Sequence, residues 1–224
     1  MASRLLRRSG VAVGLVCECL GWRADTVIQA GVGYHHQEVD VLKAEWPGLR
    51  WCGVDPHPGI IEDARKEGLY DLLIEAAAGD RPGRAPFHIK RHHGDGSSLC
   101  RPIGDDLQVR EVAVNTLDAM FIEGDLSVNF GRLLLWFDCE GHELAAIRGA
   151  RELLRRASVV NVEMTGKPPC VGDGWCTPLS IHVKLLQGGF RRQWVHTNRV
   201  FSGQYDAIYV KPELWRKEFC CDPC

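Results

Sequence analysis

The chain alternates short apolar runs with amphipathic segments, and this pattern predicts an α/β fold. Apolar runs predict strands at 26–30, 49–54, 72–77, 133–137 and 159–164. Between the runs, apolar positions recur at helical spacing, as in Val39, Leu42 and Trp46. Strands that alternate with helices pair parallel, because each parallel pair needs a long crossover connection. The first part of the chain therefore predicts a parallel sheet covered by helices.

The end of the chain has a different pattern. A helix is predicted at 178–187, and it is followed by strands at 190–196 and 205–211 that a short polar loop joins. Two strands this close in sequence can pair only antiparallel. Two more short strands are predicted at 86–90 and 109–114. We therefore expect a mostly parallel seven-stranded sheet with a C-terminal antiparallel hairpin and helices on both faces.

The composition fits one globular domain over residues 1–224, with an N-terminal helical segment at 1–25 and a Cys-rich tail at 212–224. The formal net charge of -2 gives no global attraction to nucleic acid or to an anionic membrane. The densest basic patch, His88 to His93, is read either as a solvated loop or as a phosphate site. Arginines before an apolar run imitate a leader peptide, but Glu18 interrupts that run. We expect a helix packed on the sheet.

The ten cysteines suggest a cytoplasmic protein rather than a disulfide framework. Cys17, Cys52 and Cys139 lie in or beside apolar segments, where free cysteine packs as a small hydrophobic residue. A Zn²⁺ site could be assembled from the remaining cysteines of the tail and of a Gly-rich loop: Cys170, Cys176, Cys220, Cys221 and Cys224. A single CxxC without a second pair leaves zinc, free thiols and an incidental disulfide open.

A glycine turn after the first strand is the first chemical signal. Gly31 and Gly33 allow backbone N–H groups to approach a ligand at a helix N-terminus. Asp55 ends the next strand, where its carboxylate can accept both ribose hydroxyls of a nucleoside cofactor, and no structural role is evident for it. The dinucleotide fingerprint needs a third glycine at the position of His36. A dinucleotide is therefore disfavoured, whereas S-adenosylmethionine has no pyrophosphate and needs no such glycine.

The central apolar strand, Leu133 to Phe137, ends in a cluster of polar residues: Asp138, Glu140, His142 and Glu143. In open α/β sheets, ligands bind outside the carboxyl ends of the strands. A helix is predicted to follow at 142–156, and Glu163 ends the next strand at the same cleft. Glu140 and Glu143 have an alternative role in satisfying loop N–H groups. Likewise, His142 could face solvent, and Glu163 could pair with a buried arginine.

The segment FDCEGHELAAIRGARELL, with VAVNTLDAMF before it and VVNVEM after it, resembles the FkbM family of S-adenosylmethionine-dependent methyltransferases. The match comprises Asp138, Glu140, Gly141, Glu143, Arg148-Gly149-Ala150, Thr116-Leu117-Asp118 and Ser97-Ser98-Leu99, and the resemblance covers residues 26 to 211. It implies a Rossmann-like class I methyltransferase fold. The first family motif begins with an acid and has Asn and a later Gly, where this chain has Gln29, Gly33 and His35. Gln29 can hydrogen-bond the methionine part of the cofactor but supplies no charge.

With the resemblance, the glycine turn and the strand ends predict a cofactor site of Gln29, Ala30, Gly31, Gly33, Asp55, Pro56, Ala77, Ser98 and Asp138. Asp138 is the leading base or substrate anchor, His142 is the alternative base, and Glu163 is a third catalytic candidate. Mg²⁺ could bind between Asp138 and Glu163, although their spacing does not require it. The lysines expected of ribose 2′-O-methyltransferases are missing near Gly31 and Asp138.

Three functions are compatible with this site. The resemblance implies O-methylation of a small hydroxylated molecule, such as a sugar or a secondary metabolite. A catalytically silent binding or scaffold protein would follow if the changes at Gln29 and His35 abolish cofactor binding. A nucleic-acid or protein methyltransferase would use the His88 to His93 patch.

The polar loops 91–107 and 165–177 are expected to cover the cleft and select the acceptor. The oligomeric state stays open.

Overall fold

The computed structural model describes residues 9–34, 36–90, 96–101, 103, 106–123, 129–165, 176–199 and 203–217. Its helices are α1 (Ser9–Cys19), α2 (Gln37–Glu45), α3 (Pro58–Glu67), α4 (Glu143–Arg148), α5 (Arg151–Arg156) and α6 (Pro178–Gln187). Its strands are β1 (Thr26–Ala30), β2 (Arg50–Asp55), β3 (Leu72–Glu75), β4 (Ala77–Ala78), β5 (Gly83–Lys90), β6 (Leu107–Asn115), β7 (Leu133–Phe137), β8 (Ala157–Thr165), β9 (Arg191–Arg199) and β10 (Gln204–Val210). A π-helical turn lies at Ala119–Glu123.

Seven strands form the main sheet, in the order β3-β2-β1-β7-β8-β10-β9. The first five pair parallel, and β10 pairs antiparallel with both β8 and β9. The predicted Rossmann-like methyltransferase fold, with its mostly parallel sheet and its C-terminal hairpin, is therefore confirmed. The order reverses between β1 and β7, which is the switch point where open α/β sheets bind ligands.

Helices cover both faces of this sheet, as predicted. On one face, α1 and α2 bury Val13, Cys17, Val39 and Leu42 against the sheet and the adjoining tryptophans. On the other face, α4, α5 and α6 bury a second set of side chains, which comprises Ala146, Ile147, Leu153, Leu154, Ile181 and Leu185. Both faces of the sheet are therefore buried from solvent, as the unbroken apolar run of β7 predicts. Among the described residues, no helix has the length and apolarity to cross a membrane.

A second, three-stranded sheet, in the order β4-β6-β5, was not predicted. The single strand predicted at 72–77 is wrong. The chain leaves the main sheet after Glu75, makes a tight turn at Ala76, and enters the second sheet as β4, which pairs parallel with β6. Strands β5 and β6 pair antiparallel along their whole length and are longer than predicted. A short apolar run does not show which of two sheets it joins.

The single helix predicted at 142–156 is also wrong, because it is divided into α4 and α5. The break lies at Gly149, where an added Cβ would lie 2.0 Å from the carbonyl oxygen of Gly79, so that only glycine fits at this position. The carboxylate of Asp118 accepts from two N–H groups in the first turn of α5, at 2.8 and 3.0 Å. This side chain caps α5 and fixes the break.

Candidate functional site

A cavity of about 460 Å³ opens at the carboxyl ends of the central strands, between the main sheet and the second sheet. Its walls contain nearly all of the residues predicted from sequence: Gln29, Gly31, Gly33, Asp55, Pro56, Ala77, Ser98, Asp138, His142 and Glu163. Ala30 does not line it, since its side chain belongs to the core on the opposite face. Small-molecule sites typically enclose about 300–1,000 Å³, so the cavity can hold a cofactor.

Close packing at Gly31 brings the two central motifs together. Its φ of 88° lies in the left-handed region, and an added Cβ would lie 1.6 Å from the carbonyl oxygen of Asp138. The backbone N–H of Asp138 donates to the carbonyl of Ala30 at 2.9 Å. Only glycine fits where the end of β1 lies against the end of β7. The glycine turn and the strand-end acid are thus one structural unit.

Asp55 has a structural role that the sequence did not indicate, so the premise that it has none is wrong. Its Oδ2 accepts from the N–H groups of Val32 and Gly33, at 2.9 and 3.4 Å, and its Oδ1 accepts from the N–H of His57 at 2.8 Å. Burial raises the pKa of this carboxyl to about 6, against the lowering effect of the three N–H donors. Asp55 holds the glycine turn, and ribose binding stays a prediction.

The side-chain oxygen of Gln29 is hydrogen-bonded within the protein. Its Oε1 accepts from the indole N–H of Trp51 at 2.8 Å and from the hydroxyl of Tyr70 at 3.1 Å. Both lone pairs of the amide oxygen are therefore used, and its NH₂ group is what remains for a ligand. The predicted contact with the methionine part of a cofactor is restricted to donation.

Carboxyl groups crowd the opposite end of the cavity. Asp138 and Glu163 are hydrogen-bonded to each other, which requires a proton between them. Loss of hydration, followed by the neighbouring acids, raises the pKa of Asp138 well above its usual range and that of Glu163 to about 8. Glu140 and Asp206 add further negative charge. This end of the cavity therefore favours a cation or a proton.

The Mg²⁺ expectation depends on this acidic group. Asp138, Glu140 and Glu163 each offer a carboxylate oxygen, and these oxygens lie within 4.8 Å of one another. A divalent cation prefers oxygen ligands at about 2.0–2.6 Å, but it would have to displace the proton that Asp138 and Glu163 share. The geometry of these three described side chains fits a proton-sharing pair better than a magnesium site.

Glu143, the last acid of the family-like motif, is structural. It is buried, and its Oε1 accepts from the N–H groups of Cys139 and Gly141 at 3.0 and 2.9 Å. Its Oε2 lies 3.1 Å from the Sγ of Cys176. The loop turns through left-handed backbone at Glu140 (φ 50°) and Gly141 (φ 96°). This confirms the alternative in which Glu143 satisfies loop N–H groups, and it presents Glu140 at the cavity.

Ser98 joins the second sheet to the same loop. Its Oγ donates to the carbonyl of Glu140 at 2.8 Å and accepts from the N–H of Cys100 at 3.0 Å. His142 lines the cavity from the other side of the loop, and burial lowers its pKa, so the ring is neutral near pH 7. A neutral imidazole can accept a proton, and His142 stays the alternative base.

Several side chains that line the cavity belong to none of the predicted site residues: Tyr34, Glu38, Phe87, Lys90, Trp136, Gln204 and Asp206. Asp206 had a usable signal, because it is an acid inside an otherwise apolar strand. Lys90 belongs to the basic patch His88 to His93, of which residues 91–93 lie outside the described residues. The same applies to His35 and to residues 91–95 and 166–175 of the predicted loops.

Some of the cysteines named in the sequence analysis lie within the described residues and others lie outside them. Cys17 and Cys52 are buried free thiols, as expected, and burial raises the pKa of Cys52 to about 11. Cys176 is a buried free thiol beside Glu143. Its proposed partners for zinc, Cys170, Cys220, Cys221 and Cys224, lie outside the described residues. Within the described ranges, no group of metal-binding side chains includes a cysteine. The zinc site stays untested.

Solved structures with a similar fold include several methyltransferases. The magnesium protoporphyrin IX methyltransferase ChlM from Synechocystis PCC 6803 is 12% identical, with a TM-score of 0.48 over 88% of this chain and 78% of that chain. Fibrillarin from Aeropyrum pernix is 11% identical, with a TM-score of 0.48 over 92% and 76%. A methyltransferase from Aquifex aeolicus is 12% identical, with a TM-score of 0.46 over 93% and 92%. These similarities carry no information on substrate.

The family comparison is more specific. No curated protein matches the chain. The family model described as the methyltransferase FkbM domain matches residues 29–191, which is more than half of the chain. That span begins at the last part of β1 and includes the glycine turn, Asp55, Asp138 and Glu163. The chain therefore belongs to the FkbM methyltransferase family.

Proposed function

We propose that this protein transfers a methyl group from S-adenosylmethionine to a hydroxyl of a small molecule, such as a sugar or a secondary metabolite. The observation that carries the proposal is that one cavity holds Asp55, which ends β2, on one side of the Gly31 turn and the acids Asp138 and Glu163, from β7 and β8, on the other. At the first end, Oδ1 of Asp55 accepts from the N–H of His57 and keeps a lone pair for a ribose hydroxyl. The second end favours a cation, and the cofactor is a sulfonium.

The residues of the acidic end have a clear part in this chemistry. S-adenosylmethionine supplies an electrophilic methyl group on a positively charged sulfur. Burial and then the neighbouring acids raise the pKa of Asp138, and a cation in the cavity favours its ionised form because it opposes both effects. The Gly31 turn and Asp55 would hold the cofactor, which would supply the methyl group, and Asp138 would take the proton of the acceptor hydroxyl.

The size and charge of the cavity support this acceptor class. Its volume of about 460 Å³ suits a cofactor and a small acceptor rather than a folded partner. Among the described lining residues, Lys90 is the one lysine or arginine. Binding of nucleic acid depends on neutralising many phosphates, so one lysine beside several acids argues against it. A neutral hydroxylated molecule meets no repulsion in such a cavity.

Two measurements on the purified protein test the proposal. Mass spectrometry of protein prepared without added ligand should detect S-adenosylmethionine or its demethylated product. Formation of that product should then be screened against sugars, phenols and other hydroxylated metabolites, with amines and RNA oligonucleotides as contrasting panels. Turnover with a hydroxylated compound supports the proposal. Turnover with only amines or RNA overturns the acceptor class, and failure to bind the cofactor favours the silent binding protein.

A further inference from the structure

His36 occupies the position where a dinucleotide site would need a glycine, and its side chain has a defined place in the fold. The ring is buried, and His36 is 5% exposed. Its edge packs against Tyr70, with ring centroids 5.5 Å apart. Its backbone carbonyl accepts hydrogen bonds from the first turn of α2. The side chain is therefore fixed between the glycine turn and the end of α3.

Both ring nitrogens of His36 face oxygen atoms that can only accept hydrogen bonds. Nε2 lies 3.0 Å from the carbonyl oxygen of Gly33, and Nδ1 lies 2.6 Å from Oε2 of Glu67. A neutral imidazole carries one N–H and can donate to one of these oxygens. An imidazolium carries two and can donate to both. The ring can therefore donate to both oxygens only in the form that carries two N–H groups.

Gly33 depends on these bonds for its conformation. Its φ of 65° is in the left-handed region, and an added Cβ would find no atom within 4 Å, so no close packing restrains the turn at this residue. Its N–H donates to Asp55 at 3.4 Å, and its carbonyl accepts from His36. The two side chains hold the peptide groups on both sides of Gly33.

We propose that His36 is a positioning residue for the cofactor: as an imidazolium it bridges Gly33 to Glu67 of α3 and holds the glycine turn in its binding conformation. This inference rests on the proposed function. Tyr70, in the segment after α3, packs against the ring, and Asp55 of β2 interacts with it electrostatically.

Two substitutions distinguish the hydrogen bonds that His36 donates from the positive charge on its ring. H36F keeps an aromatic ring against Tyr70 but removes both N–H groups, so the dissociation constant for S-adenosylmethionine should rise about tenfold. E67Q supplies an amide N–H to Nδ1 of a neutral ring, whose Nε2–H still donates to Gly33, so affinity should change less than about twofold. E62Q, at an exposed carboxylate of the same helix that pairs with Lys66, is the matched control and should leave affinity unchanged.

The readouts are calorimetry with S-adenosylmethionine and NMR of protein with ¹⁵N-labelled histidine, near pH 7. Both nitrogens of His36 should carry the imidazolium signature in the wild-type protein, and the E67Q variant should show a neutral ring. Wild-type affinity in H36F, or a neutral ring in the wild-type protein, overturns the inference. If the wild-type protein does not bind the cofactor, the proposed function fails, and the NMR result on wild type and E67Q decides the bridge alone.

Discussion

The two ends of the cavity differ in the groups that surround their carboxylates. At the glycine turn, Asp55 is surrounded by backbone N–H donors that satisfy its carboxylate within the protein. At the other end, burial and then the charge of neighbouring acids, Glu140 and Asp206 among them, raise the pKa of both Asp138 and Glu163. The charge at the first end is hydrogen-bonded to the backbone, whereas the charge at the second end is neutralised by a proton or a cation. One cavity therefore contains a hydrogen-bonded carboxylate at one end and mutually repelling carboxyl groups at the other.

The largest expected effect breaks the junction between the two ends. In Gly31→Ala, the new methyl group would lie 1.6 Å from the carbonyl oxygen of Asp138 in left-handed backbone, so the strand ends must separate. We expect the free energy of unfolding to fall by more than about 4 kcal/mol in chemical denaturation. Gly48→Ala is the matched control, with the same sign of φ and no atom within 4 Å, and should cost about 1–2 kcal/mol. Equal losses would contradict the close contact.

The next effect concerns chemistry at the acidic end. Asp138→Asn keeps the shape and hydrogen-bonding capacity of the side chain but removes the base, so methyl transfer to an acceptor found by screening should fall by about 10²-fold. The melting temperature should change little, because the amide can still donate to Glu163. Near-normal transfer in this variant would transfer the role of base to His142. Failure to fold would make Asp138 a structural acid.

The same substitution at the other end should have the reverse outcome. Asp55→Asn places an NH₂ group against backbone N–H donors, so at least one buried N–H loses its acceptor. We expect the free energy of unfolding to fall by about 2 kcal/mol near pH 7.5, where the wild-type carboxylate is ionised. Equilibrium denaturation of Asp55→Asn beside Asp138→Asn measures the comparison directly. If both variants are equally stable, the two ends do not differ as described.

How far the sequence predicts this structure differs between the two ends. The apolar runs and Gly31 predict the strands and the site, because strand burial and left-handed turns leave local patterns. Asp55 was misread, since its N–H donors come from the turn after β1, brought beside it by strand pairing. The roles of Glu143 and Asp118 likewise depend on loops that close only in the fold. At the acidic end, the sequence indicates Asp138 and Glu163. Asp206 lies beside Glu163 only because β10 pairs antiparallel with β8.

A smaller effect is expected in the pH dependence of stability. The pKa of Glu163 is about 8 in the folded protein and close to its ordinary value of 4.5 in the unfolded chain, so the folded state binds more protons between these values. The stabilisation from this group is complete below about pH 4.5 and is lost as pH rises through 8. Glu163→Gln should flatten this decline, which thermal melts from pH 5 to about 9 would detect. A wild-type slope retained in Glu163→Gln would contradict the assignment.

The most direct test of the account is the proton balance of cofactor binding. Calorimetric titration of S-adenosylmethionine near pH 7, in two buffers with different ionisation enthalpies, gives the number of protons released. A sulfonium that enters beside Asp138 and Glu163 should release about one proton from the wild-type protein, and Glu163→Gln should release markedly less. Equal heats in both buffers for the wild-type protein, with the cofactor bound, would contradict an acidic end that exchanges a proton for a cation.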